Sequence, residues 1–338
     1  MKREPGLDLL RCVALLCVIT FHGFLYNGYY REHQAGAAML LAGSVRWLSV
    51  SCVGLFLMLT GYLKSGRTEL RACYRGLPSV LLGYLLAAAV SIPVRHFFLG
   101  DPQPLFIWVR RLLGFRGVYY GWYVEIYVGL MLLSPFVNRG LMAQPSRGGL
   151  LALGAVLLAV TALPGATPLE LAPAYWRSMY PLTYYVLGAL VRRFQPEIPP
   201  WAGLAGALLT ALGLGAATVL STGGDLSGAF TQEFGDLWIV VMVVCLFVGL
   251  YRVRPGGRLG RLLSWGAGGC FGGYLLSHLL DAWCYRLIPG WRTPGRYPLL
   301  FLTVTVPIFL CSILGGKLLE LGCKQLLKLG RRRAPCLR

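Results

Sequence analysis

The sequence is dominated by apolar runs that are long enough to cross a lipid bilayer. A membrane-spanning helix needs about 20 mostly apolar residues, and runs of this kind recur along the whole chain. The candidate spans are residues 7–28, 44–63, 76–95, 117–138, 148–165, 176–191, 202–221, 236–252, 262–282 and 297–319. Together they predict an all-α, polytopic integral membrane protein with about ten transmembrane helices.

The composition agrees with this prediction and leaves no stretch for a soluble domain. Hydrophobic residues make up 56% of the 338 residues and charged residues only 13%, whereas soluble domains carry about 25% charged residues. We therefore expect one transmembrane domain over residues 1–325, embedded in the lipid bilayer, followed by a basic cytoplasmic tail over residues 326–338.

The basic residues lie mainly in alternate loops between the apolar runs. These basic segments are residues 1–3, 64–75, 139–147, 192–193, 252–261 and 324–338. Because cytoplasmic loops are enriched in Lys and Arg, the alternation predicts a multi-pass protein of the plasma membrane with both termini in the cytoplasm. It also accounts for the formal net charge of +19. No basic face or arm is set apart, which excludes nucleic acid as a partner.

Two segments on the predicted outer side break this alternation. Residues 95–116 contain four arginines and residues 286–296 contain three. Within the first of these, residues 107–115 predict a short helix at the membrane interface. The same arginines would also attract an anionic substrate, and both interpretations remain open.

Arg11 and His22 are the most informative residues of the first apolar run. At about 100° per residue, eleven steps return His22 to within roughly 20° of Arg11, so both side chains share one face of a helix. The rise along the axis separates them by about 16 Å, with Arg11 near the membrane surface and His22 near its middle. Ionisable groups at such depths are usually paired and functional.

The two residues have different chemical capacities. With an unperturbed pKa near 6.5, a histidine accepts and releases protons near neutrality. Arg11 stays protonated, so it binds phosphate or carboxylate or stabilises an anion that forms in the transition state. Asp8 precedes Arg11 by three residues, a spacing that pairs an acid with a base on one helix face. The alternative is that Arg11 anchors the helix and His22 only packs.

Other polar residues in the apolar runs are weaker candidates. Glu125 is the one acid of the fourth predicted span, where it is either functional or paired with an outer arginine. Trp122 precedes it in the same segment. His278 and Asp281 lie three residues apart near the end of the ninth span, and a carboxylate at this spacing often orients an imidazole.

The basic loop after the second span is a further candidate. It contains Lys64, Arg71 and Arg75, which follow the topology rule but would also suit a phosphate-bearing soluble donor at the cytoplasmic mouth. No metal site is predicted, because none of the ten cysteines shows zinc-ligand spacing and most fall inside apolar runs.

Seven short motifs, in this order, resemble the acyltransferase 3 family of integral membrane acyltransferases. The first is the Arg/Lys-x10-His motif of that family, which Arg11 and His22 reproduce. The others are residues 7–15, 53–62, 71–78, 122–135, 180–188 and 273–278. Together they extend over roughly residues 5–325. Glu125 differs from the pattern of the family, since closer relatives often have an uncharged residue there.

The resemblance implies a membrane-bound O-acyltransferase. Such an enzyme moves an acyl group, commonly acetyl from acetyl-CoA, onto a hydroxyl of a cell-envelope glycan, a lipid-linked sugar or a small molecule. His22 would be the base or an acyl relay, and Arg11 would hold the donor or the developing charge. Arg75 and its neighbours would bind donor phosphates. The donor is then a substrate, and no bound cofactor is expected.

Two other classes remain open on the sequence alone. A multi-spanning transporter also places ionisable residues inside the membrane, although no inverted repeat is visible. A non-catalytic partner in envelope assembly is the third class, and it predicts that His22 tolerates substitution. The acceptor, the acyl chain length and the oligomeric state do not follow from the sequence.

Overall fold

The structure is a computed structural model that describes residues 4–31, 33, 36–144, 146–166, 172–226, 234–287 and 301–333. Within these ranges the regular secondary structure is entirely helical. Its α-helices are α1 (Pro5–Tyr26), α2 (Gly36–Lys64), α3 (Leu70–Tyr74), α4 (Leu77–Phe97), α5 (Leu105–Leu113), α6 (Trp122–Ala143), α7 (Arg147–Thr161), α8 (Leu163–Ala166), α9 (Tyr180–Phe194), α10 (Pro200–Thr222), α11 (Leu237–Leu250), α12 (Gly257–Leu287) and α13 (Val306–Arg333). The all-α prediction is confirmed.

Each of the ten predicted spans overlaps a helix, but the number of crossings is not confirmed. Among the described residues, six helical segments are long and apolar enough to cross a membrane. They are Pro5–Tyr26, Gly36–Lys64, Leu70–Phe97, Trp122–Ala143, Pro200–Thr222 and Thr303–Leu329. Helices α7 and α11 are apolar but have only 15 and 14 residues. Helix α12 has 31 residues, but glycines, serines and His278 reduce its apolar character.

Helix α1 lies inside the bundle, in contact with α2, α11, α12 and α13. Its apolar residues point in all directions and most of them are buried, as Leu10, Ala14, Leu15 and Ile19 show with no exposed surface. A helix that is apolar all round is stable only when neighbours surround it. Asp8 of α1 is therefore enclosed by other helices, whereas 31% of the Arg11 side chain stays exposed.

Two sets of hydrogen bonds fix the direction of the neighbours of α1. Glu4 accepts a hydrogen bond from Tyr62 near the end of α2, at 3.1 Å, so α1 and α2 are antiparallel. Helix α12 is parallel to α1, because Asp8 contacts its beginning and Tyr26 contacts His278 toward its end. We call the two ends of the bundle the Arg11 end and the His22 end.

Glycines permit close contact between α2 and α9. A Cβ atom at Gly61 would overlap the carbonyl oxygen of Tyr185, and one at Gly188 would overlap that of Met58. Small residues at such crossings let the helix backbones touch. In lipid, where the hydrophobic effect does not drive helices together, this close packing stabilises their association. The abundant glycines of the sequence therefore act here in packing.

Two sequence-based boundaries can be compared with the ends of helices. Helix α1 ends at Tyr26, so His22 is about one turn from the helix end. The predicted boundary between residues 325 and 326 falls inside α13, which continues to Arg333. The arginine-rich segment 286–296 lies almost entirely outside the described residues.

Candidate active site

The His22 imidazole is held between aromatic rings at its end of the bundle. It stacks on the ring of Tyr120, with 4.1 Å between the centroids and 18° between the planes. Phe21 presents an edge at 5.2 Å. The Nδ1 atom is buried and has no hydrogen-bond partner among the described residues. Aromatic contacts therefore fix the plane of this ring.

A second imidazole, His278, also contacts Tyr120. The centroids of the His278 and Tyr120 rings are 5.2 Å apart in an edge-to-face contact. His278 also stacks on Tyr119 at 4.3 Å, with 11° between the planes. Its Nδ1 atom is 3.0 Å from the hydroxyl of Tyr26. The structure thus brings the two predicted histidines to one aromatic cluster, made of His22, Tyr26, Tyr119, Tyr120 and His278.

Asp281 joins this cluster through a tyrosine. Its carboxylate is fully buried and accepts a hydrogen bond of 2.9 Å from the Tyr120 hydroxyl. The spacing in the sequence predicts that Asp281 orients the imidazole of His278. In the structure the carboxylate accepts from Tyr120, so it orients the ring that contacts both histidines.

The loop before α6 places Tyr119 and Tyr120. Arg95, at the end of α4, donates hydrogen bonds of 3.2 Å to the carbonyl oxygens of Arg116 and Gly117. The Gly117 amide in turn donates to the Tyr84 hydroxyl at 3.1 Å. Buried backbone groups require such partners. Residues of α4 therefore hold the loop against the bundle.

Arg95 is itself part of a charged cluster next to α5. Asp101 receives hydrogen bonds from Arg95 at 2.6 Å and from Arg111 at 2.8 Å. The Arg95 guanidinium lies 5.0 Å from the ring centre of Trp108. Burial alone would raise the pKa of Asp101, but the hydrogen bonds and charges of the two arginines lower it. Two of the four arginines in segment 95–116 are therefore structural, and the predicted helix of this segment is α5.

At the Arg11 end, the predicted ion pair is present. The Asp8 carboxylate is 2.5 Å from Nη1 of Arg11 and accepts a 2.9 Å hydrogen bond from Ser264 on α12. Asp8 is buried, whereas 31% of the Arg11 side chain is exposed. The pair holds the guanidinium at one position on the helix face, as the spacing of the two residues predicts.

Arg11 lines a cavity of about 290 Å³. The other lining residues are largely apolar or aromatic and come from α2, α4, α6 and α12: Phe56, Leu59, Thr60, Leu63, Val80, Tyr123, Tyr127, Ala267, Cys270, Phe271 and Tyr274. Tyr274 donates a 2.8 Å hydrogen bond to the backbone carbonyl of Tyr120. This contact connects the cavity wall to the tyrosine that stacks on His22.

The basic loop predicted as a donor site follows the end of α2. Arg71 and Arg75 are exposed and line a shallow depression, while Lys64 is half-buried. Asn138 of α6 fixes the loop by donating to the carbonyl oxygens of Lys64 and Arg67, at 3.0 and 2.6 Å. Since Leu63 lines the Arg11 cavity, this loop begins next to it.

Trp122 and Glu125 have different surroundings in the structure, although both lie in the first turn of α6. Trp122 stacks on Phe234 at 5.7 Å, and Phe234 lies 6.4 Å from Phe21 beside His22. Glu125 has an exposed side chain and is not part of the aromatic cluster. Its predicted functional role has no support from this placement.

Several residues of the site were missed by the sequence reasoning. Tyr120 and Tyr26 carry no signal of their own, because tyrosines are common at membrane interfaces. Arg46 did carry a signal, since it lies inside the predicted span 44–63. It is fully buried on α2, its guanidinium lies 4.3 Å from the ring centre of Phe21, and its Nε donates to the Tyr30 hydroxyl.

Comparison with known proteins identifies the family. A family model described as an acyltransferase domain matches residues 4–317, nearly the whole chain. No curated protein and no solved structure matches. The matched range includes the Arg11 cavity and the aromatic cluster around both histidines. The chain therefore belongs to the acyltransferase 3 family and is a membrane acyltransferase.

Proposed function

We propose that the protein transfers an acyl group, most simply acetyl, from acyl-CoA to a hydroxyl of a cell-envelope glycan, a lipid-linked sugar or a small molecule. The observation that carries the proposal is the position of His22. Its imidazole is held by Tyr120, and Tyr120 is bonded to the wall of a cavity that contains Arg11. An imidazole and a fixed positive charge thus lie toward opposite ends of one helix.

The donor enters at the Arg11 end in this proposal. The cavity there is lined mostly by apolar and aromatic residues, which suits the uncharged thioester arm of acyl-CoA rather than its charged nucleotide. The exposed Arg71 and Arg75, with Lys64, bind the phosphates outside the cavity. This assigns the Arg11 end to the cytoplasmic face of the plasma membrane, as the positive-inside rule expects.

The acceptor enters at the His22 end. His22 takes the proton of the acceptor hydroxyl, and the oxygen attacks the thioester carbonyl. The tetrahedral intermediate then collapses, so the new ester forms as the carbon–sulfur bond breaks. The leaving thiolate receives the proton from the imidazolium. In the relay variant, the His22 imidazole attacks the thioester carbonyl, and the carbon–sulfur bond breaks as the thiolate leaves with the imidazole N–H proton. The acceptor hydroxyl then takes the acyl group from His22 and gives its proton back to the imidazole.

His278 and Tyr26 support the acceptor side. The hydrogen bond between the Tyr26 hydroxyl and His278 lies next to His22, and the stacked Tyr119 is 57% exposed. An exposed aromatic ring beside polar hydrogen-bonding groups suits a hydroxylated ring on the incoming acceptor.

The proposal is tested with membranes that contain the protein, radiolabelled acetyl-CoA and envelope glycan. The wild type and His33→Ala should transfer label, because His33 is exposed, whereas His22→Ala should not. Mass spectrometry of envelope glycans with and without the gene identifies the acceptor. Transport of a solute that depends on His22, without acyl transfer from any donor, would overturn the proposal and favour a transporter.

A further inference from the structure

We propose that Tyr120 and Asp281 form a positioning pair that fixes the imidazole plane of His22 for acyl transfer. The inference rests on the proposed function, in which His22 is the reacting group. Neither residue binds the donor or the acceptor in this role. Tyr120 acts on His22 through its ring, and Asp281 acts through Tyr120.

The pair is rigid because both members are buried and bonded. Tyr120 is 1% exposed and Asp281 has no exposed surface. The 2.9 Å hydrogen bond between hydroxyl and carboxylate fixes the far end of the tyrosine side chain. The 2.8 Å hydrogen bond from Tyr274 to the Tyr120 carbonyl fixes its backbone. The Tyr120 side chain is thus held both at its hydroxyl and at its backbone.

His22 needs such a contact from outside its own helix. Phe21 and Tyr26 also contact the imidazole ring, but they belong to α1 and move with it. Tyr120 comes from the loop before α6 and lies closest, at 4.1 Å. Catalytic histidines are often oriented by a hydrogen bond at one nitrogen. A stacked ring fixes the plane of the imidazole without a hydrogen bond to either of its nitrogens.

The arrangement also explains why a carboxylate lies so close to the site. Asp281 accepts from the Tyr120 hydroxyl through Oδ2, so one carboxylate oxygen is paired with the tyrosine that contacts both histidines. Both imidazoles contact this one ring, at 4.1 and 5.2 Å. A shift of Tyr120 would therefore move the stacking partner of His22 and a neighbour of His278 together.

Four single variants of the full-length protein test the pair in the acyl-transfer assay. Tyr120→Phe keeps the stacking ring but removes the hydroxyl, and Asp281→Ala removes its acceptor. Asp281→Asn keeps an oxygen that can accept from Tyr120. Tyr285→Phe is the matched control, because Tyr285 is also about 2% exposed, and its hydroxyl bonds Thr305 at 2.8 Å rather than any residue of the cluster.

Tyr120→Phe and Asp281→Ala should each lower kcat about 10-fold or more, because small misplacements of a reacting group reduce rates strongly. The KM for the donor should remain within twofold, since the side chains that line the cavity are unchanged. Asp281→Asn and Tyr285→Phe should retain kcat within threefold. The double variant Tyr120→Phe/Asp281→Ala should lose no more than the larger single loss, since both act through one bond.

The inference is overturned if Tyr120→Phe retains kcat within threefold, or if either variant raises KM while kcat is unchanged. If Tyr120→Phe does not fold, the comparison of Asp281→Ala with Asp281→Asn tests the same hydrogen bond. Equal kcat values for those two variants would overturn the inference. Failure of the proposed function is distinct from these outcomes, because the wild type would then show no acyl transfer that depends on His22.

Discussion

Removing the charge of Asp8 should release Arg11 from its position on the cavity wall. Asp8 is buried, lies 2.5 Å from the guanidinium and accepts a second hydrogen bond from Ser264. A hydrogen bond to a charged group contributes about 1.5–3 kcal/mol. Because 31% of the Arg11 side chain is exposed, solvent screening places the loss for Asp8→Asn at the lower end, about 1.5–2 kcal/mol.

That loss corresponds to roughly a 10- to 30-fold shift toward displaced positions of Arg11. If Arg11 holds the donor, the KM for acyl-CoA should rise by about this factor, while kcat changes by less than about threefold. Steady-state kinetics of the purified protein measure both constants. The control is Glu197→Gln, which removes a carboxylate that is 87% exposed and paired with Arg252 at 3.3 Å. An unchanged KM in folded Asp8→Asn protein would refute the reasoning.

Three more variants test other parts of the structure. The lowered pKa of Asp101 means that its ionised carboxylate stabilises the folded protein. This stabilisation is complete above the ordinary carboxyl pKa of about 3.9 and is lost as the pH falls through the lower pKa of the folded state. Asp101→Asn should therefore lower the melting temperature at pH 7 and reduce the difference in melting temperature between pH 7 and pH 3. Gly61→Ala would place a Cβ against the Tyr185 carbonyl and should destabilise the protein by about 1–3 kcal/mol in thermal unfolding in detergent. Glu125→Gln should retain transfer activity within about twofold, because its side chain is exposed; a loss of 10-fold or more would assign it a role.

The sequence predicted those parts of the site that depend on one helix. Asp8 and Arg11 are three residues apart on α1, so their pairing follows from helix geometry alone. The short helix α5 followed in the same way from the local pattern of residues 107–115. The positions of the helices themselves were predictable because apolar runs of sufficient length have few other structures available in a membrane.

The parts that were missed depend on contacts between distant segments. Tyr120 meets Asp281 and both histidines only because the loop before α6 packs against α1 and α12. No local spacing encodes such a contact. The hydrogen bond from Tyr120 to Asp281 is an example, since it joins residues 161 positions apart. The number of crossings stays a prediction for a related reason, since α7 and α11 are apolar but short.

The most direct test of the account is acyl transfer across a membrane by the purified protein. Proteoliposomes would enclose labelled acetyl-CoA, with an impermeant hydroxyl acceptor outside. We predict that wild-type protein labels the external acceptor and that His22→Ala lowers the rate at least about 100-fold, while His33→Ala does not. Label on an acceptor only when it shares the compartment of the donor, or transfer by His22→Ala at the wild-type rate, would contradict the claim that donor and acceptor meet at His22 from opposite ends.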